Sequence, residues 1–288
     1  MSSLPETAAA QVAVPAAARR FGAAIILRRE LRAHLKSFLS WLLPVAGLLV
    51  MTISLQPSIA QEGGLLEAKL AAMPEAMRNA FGFGGLDFRR PAAYLATNFL
   101  YVTLTASLFG GLLGATLLSK EEALRTVEAL LALPVGRAEV LAGKAAALVV
   151  YVAAFNAALL GTALVAFQAF VGDTGERGLV AALFLGTALL GLCFGAVGLL
   201  LSAVLKDARG APGLTLGVVL GTYLLGMLSG LSAKADPLRW LSPYKLVEPS
   251  GIVQGSGLTA GAVGALLGGA VLALGAAVVL YRRRDIAA

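Results

Sequence analysis

The sequence predicts an all-α integral membrane protein: six transmembrane helices, an N-terminal amphipathic interfacial helix, and a short cytoplasmic helix between spans two and three. Three observations carry this. Of 288 residues, 58% are apolar and only 14% charged, whereas soluble domains carry about a quarter charged residues. Mean hydropathy is +0.84. Six apolar runs, at 38–56, 93–118, 141–170, 179–205, 211–231 and 258–281, each reach the roughly 20 residues that a bilayer crossing needs.

The elements follow in order. Residues 1–18 have no basic start and no apolar core, and they contain Pro5, Glu6 and Pro15. They read as a disordered cytoplasmic tail and not as a signal peptide. In 19–37, Ala24, Leu27, Leu31, Leu35 and Phe38 recur at helical steps, with Arg28, Arg29, Arg32 and Lys36 on the other side. That pattern suits a basic helix lying in the inner membrane interface. The six-span domain then occupies 38–288. Its outer loops are 57–92, with a short helix expected around 65–81, and 232–257, where Trp240 and Tyr244 suit an interfacial hairpin or short re-entrant helix and, equally, a plain surface loop.

Six spans place both termini on one side, and the positive charges say which. With the termini inside, the inner segments hold 15 of the 23 Lys and Arg: Arg19, Arg20, Arg28, Arg29, Arg32, Lys36, Lys120, Arg125, Arg137, Lys144, Lys206, Arg209, Arg282, Arg283 and Arg284. The outer segments hold eight, and the main dissenters are Arg89 and Arg90, beside the second span. The net charge of +7 therefore reads as loops facing anionic membrane lipids, with no nucleic-acid partner.

Catalytic chemistry is scarce. Cys193 is the single cysteine and His34 the single histidine, so no disulfide forms within the chain and no metal site is expected. His34 lies in the basic N-terminal segment and reads as a solvated surface residue. The nearest approach to a phosphate-binding loop, 136–144, has glycines seven apart and Ala145 where Ser or Thr should hold magnesium. The spans carry almost no ionisable residue at mid-depth, which argues against an enzyme and against ion-coupled carriage. The polarity that remains is neutral: Asn98, Tyr101 and Thr105 in the second span, Asn156 and Gln168 in the third, Thr215, Thr222 and Tyr223 in the fifth. Each either bonds helix to helix or lines a pathway. Gly213, Gly217 and Gly221 step by four along the fifth span, and Gly191 and Gly195 along the fourth. The fifth-span triplet is the candidate subunit seam.

The densest charge inside the apolar domain lies at 119–144, with the loop itself at 119–140. Ser119 and Glu122 have capping-box spacing. Leu124, Val127, Leu130 and Leu131 give an apolar face, and Pro134 ends the pattern. Spacing alone leaves a surface helix and a solvated connecting loop equally open.

This segment resembles the signature of type-2 ABC exporter permeases, the ABC-2 family of transmembrane subunits. Their pattern of an acidic pair, Gly-Thr-x-Glu-x-Leu-Leu, Pro-Val-Ser-Arg and Gly-Lys appears as Glu121-Glu122, Arg125-Thr126-Val127-Glu128-Ala129-Leu130-Leu131, Pro134-Val135-Gly136-Arg137 and Gly143-Lys144. Arg125 and Gly136 depart from it. Leu241-Ser242-Pro243-Tyr244 and Tyr281-Arg282-Arg283-Arg284-Asp285 extend the resemblance over most of the chain. It implies that the segment is a coupling helix, with Glu121, Glu122, Arg125, Glu128, Pro134 and Arg137 docking on a separate ABC ATPase subunit. That subunit would bind ATP and magnesium, with no cofactor in this chain. It further implies a pathway along spans two and five, which favours Asn98, Tyr101 and Tyr223, with Thr105 and Thr222 beside them. A second copy or a paralogue would complete the transporter, in a bacterial inner membrane, exporting an amphiphilic cargo such as a lipid, drug-like molecule or peptide. The alternative is a membrane scaffold that recruits a soluble partner without transport.

Overall fold

In hydrocarbon an apolar run folds as a helix because only a helix or a closed barrel satisfies its backbone there. The computed structural model describes residues 16–283 apart from 63, 65–67, 70–71, 81–85, 124–136, 174, 206–207 and 232–233. Its helices are α1 (Ala16–Ala33), α2 (Leu35–Gln61), α3 (Glu75–Ala80), α4 (Pro91–Thr97), α5 (Leu100–Ala123), α6 (Arg137–Phe170), α7 (Arg177–Val204), α8 (Ala211–Ser229) and α9 (Ala260–Arg283). Six of these, α2 and α5 to α9, are long and apolar enough to cross a membrane, and no strand occurs among the described residues. The all-α, six-span reading holds.

Helix α1 begins at Ala16, inside the expected tail. Only His34, with φ −98° and ψ 0°, separates it from the first span. Its buried face is Ile26, Glu30 and His34, with Leu31 and Phe38 packed partly against the core. Ala24 and Leu35 are exposed, so the apolar stripe lies about one position round from the predicted one. The four predicted cations Arg28, Arg29, Arg32 and Lys36 are exposed as expected.

The second predicted span is two helices. Pro91 starts α4, and at Asn98 and Phe99 the backbone N–H groups bond to the carbonyls of Leu95 and Ala96, three residues back. The α-helical pattern resumes with the Thr103 N–H on the Phe99 carbonyl. Side chains help close the break: Thr97 Oγ1 and Asn98 Nδ2 both donate to the Tyr94 carbonyl, at 2.7 and 3.1 Å.

Helices α5 and α7 form the centre: 72% and 61% of their apolar stretches are buried, against 17%, 22% and 22% for the first, fifth and sixth spans. Glycine sets their closeness. A Cβ on Gly110 would sit 2.1 Å from the Gly191 carbonyl oxygen, one on Gly114 1.9 Å from that of Gly195, and one on Gly198 2.3 Å from that of Gly111. The Gly191/Gly195 step therefore packs within the chain. Between α6 and α7, Thr187 Oγ1 donates to Asn156 Oδ1 at 2.7 Å in a buried bond, so Asn156 is an interhelical tie. Phe109 stacks on Phe155 (centroids 4.7 Å apart, 21° between planes), and Phe38 and Tyr151 complete that aromatic layer.

The end opposite α1 is clasped. Arg90 Nη2 lies 2.7 Å from Glu176 Oε1, while the Ala92 N–H donates to Glu176 Oε2 at 2.9 Å. One carboxylate thus neutralises Arg90 and caps the first turn of α4. Gln56 Nε2, near the C-terminal end of α2, donates to the Arg89 carbonyl at 3.2 Å.

Candidate functional site

Two places gather polar groups, one at each end of the bundle. At the end that carries α1, helix α5 continues through Ser119 to Ala123, and α6 starts at Arg137. Ser119 is buried within α5 and caps nothing: the apolar run before it keeps the helix going past the capping-box pattern. Glu121 and Glu122 stand on the last turn of α5, and Arg137 opens α6. Arg125, Glu128 and Pro134, with the rest of 124–136, lie outside the described residues.

Beside these helix ends is a buried charge cluster that sequence reasoning missed. Lys144, two turns into α6, has no solvent exposure, and Nζ donates to Glu30 Oε1 at 3.0 Å and to the Leu117 carbonyl of α5. Glu30 Oε2 lies 3.4 Å from His34 Nε2, and the Tyr151 hydroxyl donates to the Leu31 carbonyl. Burial alone would raise the Glu30 carboxyl. The His34 imidazole 3.4 Å away, with the charge and hydrogen bond of Lys144, outweighs this and holds it at about 2. His34 is buried, 8% exposed, and is not the solvated residue its basic neighbours suggest. Signals were present: Ile26, Glu30 and His34 share one face at four-residue steps, and Lys144 lies inside the predicted third span, where a cation calls for a partner.

The opposite end holds a cleft of about 100 Å³ between α4–α5, α8 and the loop that follows α8, lined by Thr97, Leu100, Thr103, Tyr223, Met227, Tyr244, Lys245 and Glu248 among others. The loop forms two 3-10 turns, Asp236–Leu241 and Pro243–Val247. The first leaves Trp240 77% exposed beneath the Arg239 guanidinium. The second returns Tyr244 to the bundle, 5.4 Å from the Phe194 ring and 5.5 Å from the Tyr223 ring. Burial pushes the Tyr244 phenol up. Gly226 admits the loop, since a Cβ there would meet Ser242 Oγ at 2.4 Å. At the rim Lys245 Nζ pairs with Glu248 Oε1 at 2.9 Å.

Of the five predicted pathway residues, Tyr223 lines this cleft. Asn98 instead serves the helix break. Tyr101 donates to Thr52 Oγ1 of α2 at 3.2 Å, Thr222 bonds back to the Val218 carbonyl, and Thr105 is half-buried in α5. Thr103 and Tyr244, which the sequence did not single out as lining, line the cleft beside Tyr223. Along α8, a Cβ on Gly213, Gly217 or Gly221 would meet nothing within 4 Å, in contrast to the packed glycines of α5 and α7.

Residues 24–286 match the family model described as ABC-2 family transporter protein. Comparison with curated proteins finds no match. The match spans the second half of α1, all six membrane helices and both polar ends, and with the six-helix architecture it means that the chain belongs to the ABC-2 transporter family, as a multi-pass membrane subunit of an ABC transporter.

Proposed function

We propose that this subunit exports an amphiphilic cargo, driven by ATP that a separate ATPase binds with magnesium. Its termini are cytoplasmic, in a bacterial inner membrane. Two copies, or this chain and a paralogue, form the pathway, with α8 and its Gly213, Gly217 and Gly221 at the seam. The ATPase grips the 119–140 segment through Glu121, Glu122, Arg125, Glu128, Pro134 and Arg137, and its closure moves α5 and α6. The observation that carries the reading is the pairing of a chain-wide family match with a hydroxyl- and aromatic-lined cleft at the outer ends of spans two and five, whose two charges, Lys245 and Glu248, neutralise each other. Such a lining suits apolar surface with a few polar contacts. Orientation rests on the 15-to-8 division of Lys and Arg.

The test is purification of the complex from its own membrane through a tag on this chain, followed by reconstitution. An ATPase should co-purify, and ATP should drive a fluorescent lipid or dye across the vesicle membrane. A co-purifying partner with no ATP-dependent movement would favour the scaffold reading. Impermeant maleimide should label a cysteine at Ser58 from outside intact cells and one at Ser3 only after permeabilisation; the opposite pattern would overturn the orientation.

A further inference from the structure

Holding α1 against α6 does not require charge. Two apolar side chains of similar volume would do so as well or better, because desolvating an ion pair offsets most of its attraction. An ion pair adds directed, multivalent attachment. The Lys144 ammonium reaches two elements at once, the Glu30 carboxylate of α1 and the Leu117 carbonyl of α5. Leu117 and Lys144 each stand roughly two turns from the 124–136 segment, one before it and one after it. Helix α1 is therefore pinned to both flanks of that segment.

The pin also lies at a joint. His34, which faces Glu30 Oε2 at 3.4 Å, is the one residue between α1 and the first span. Tyr151, about two turns beyond Lys144 on α6, holds the Leu31 carbonyl and packs its ring 5.4 Å from Phe38 of α2. Helices α1 and α2 thus meet α6 on both sides of the break.

We propose that Glu30 and Lys144 are positioning residues of transport: they lock α1 to both flanks of the coupling segment, so that displacement of that segment passes through α1 into the first span. This rests on the ATP-driven reading above, and the experiment separates the two. In a Cys193→Ser background, single reporter cysteines replace Gln61, at the outer end of α2, or Asp173, after the outer end of α6; both positions are exposed. Maleimide labelling is measured in the tagged native complex, with and without trapping by Mg-ATP and orthovanadate. Each reporter is also placed with Glu30→Met and Lys144→Met together, a pair chosen to keep α1 packed without charge.

Trapping should change labelling at both reporters about fivefold or more. In the double-methionine chain the Asp173→Cys response should persist and the Gln61→Cys response disappear. A retained response at Gln61→Cys overturns the proposal. Loss at both reporters also overturns it, because the pair would then hold the whole assembly and not the first span. If neither reporter responds with Glu30 and Lys144 intact, the ATP-driven reading fails and the proposal falls with it.

Discussion

Lys144 Nζ lies 3.0 Å from Glu30 Oε1, a fully buried ammonium meeting a buried carboxylate across 114 residues of sequence. Removing either partner strands the other charge. Lys144→Met or Glu30→Gln alone should destabilise the chain by about 3–5 kcal/mol, whereas Glu30→Met with Lys144→Met should recover most of that loss. Thermal unfolding of the detergent-solubilised protein checks this. Equal damage from the single and double replacements would mean that packing at these positions, and not charge, matters.

The same pair gives a pH signature. Glu30 titrates at about 2 in the fold against an ordinary 4.5. A depressed carboxylate stabilises fully above its unfolded value and loses that contribution as pH falls through the folded one. The advantage of the unmodified chain over Glu30→Gln should therefore be flat above about pH 4.5 and shrink towards pH 2, a change of about 3 kcal/mol. Melting curves of both chains across that range test it. A constant gap down to the lowest attainable pH would show that Glu30 is not the titrating group.

That cluster marks where the sequence is hard to read. The spans were legible because length and apolarity alone decide a bilayer crossing. The break at Asn98 and Phe99 was not, because apolar composition runs through it unchanged; it is the local hydrogen bonds of Thr97 and Asn98 that stabilise it. Glu30 and His34 sit among exposed arginines, where a charge normally reads as solvated, and their partner arrives from a distant helix. Tyr244 is similar. Its loop offered a hairpin or a surface turn, and only packing against Phe194 and Tyr223 brings it into the cleft. Tyr223 was one of several neutral polar groups in the apolar spans, and it was the family resemblance that set it beside the expected pathway.

Glycines divide into two classes that a sequence spacing rule cannot separate. Gly110→Ala, Gly114→Ala and Gly198→Ala would each drive a Cβ to within 2.3 Å of a backbone carbonyl on the facing helix. Backbone cannot yield as a side chain can, so each should cost at least the 1–3 kcal/mol (roughly) of an overpacked core and lower the yield of folded protein. Gly213→Ala, Gly217→Ala and Gly221→Ala meet open space and should leave the folding of the single chain unchanged. If α8 forms the subunit seam, the triple replacement should lower the fraction cross-linked as a dimer in membranes. Dimer yield unaffected by that triple replacement would remove α8 from the seam.

Coupling is tested at Glu121 and Glu122, on the last turn of α5. Reversing both to Lys should reduce recovery of the ATPase with the chain, or leave hydrolysis running without cargo movement. An exposed charge pair contributes only about 0–1 kcal/mol, while close pairs desolvated at an interface reach roughly 1.5–7, so a double reversal discriminates where a single neutralisation would not. Local unfolding is a poor rival explanation, because cations favour a helix C-terminus and anions do not. The reversal should, if anything, steady the end of α5. Membrane insertion and the melting temperature should accordingly stay at the unmodified values while complex yield or transport falls. If yield, hydrolysis and transport all remain unchanged, the acidic pair is not the surface that the ATPase grips, and the scaffold reading gains ground.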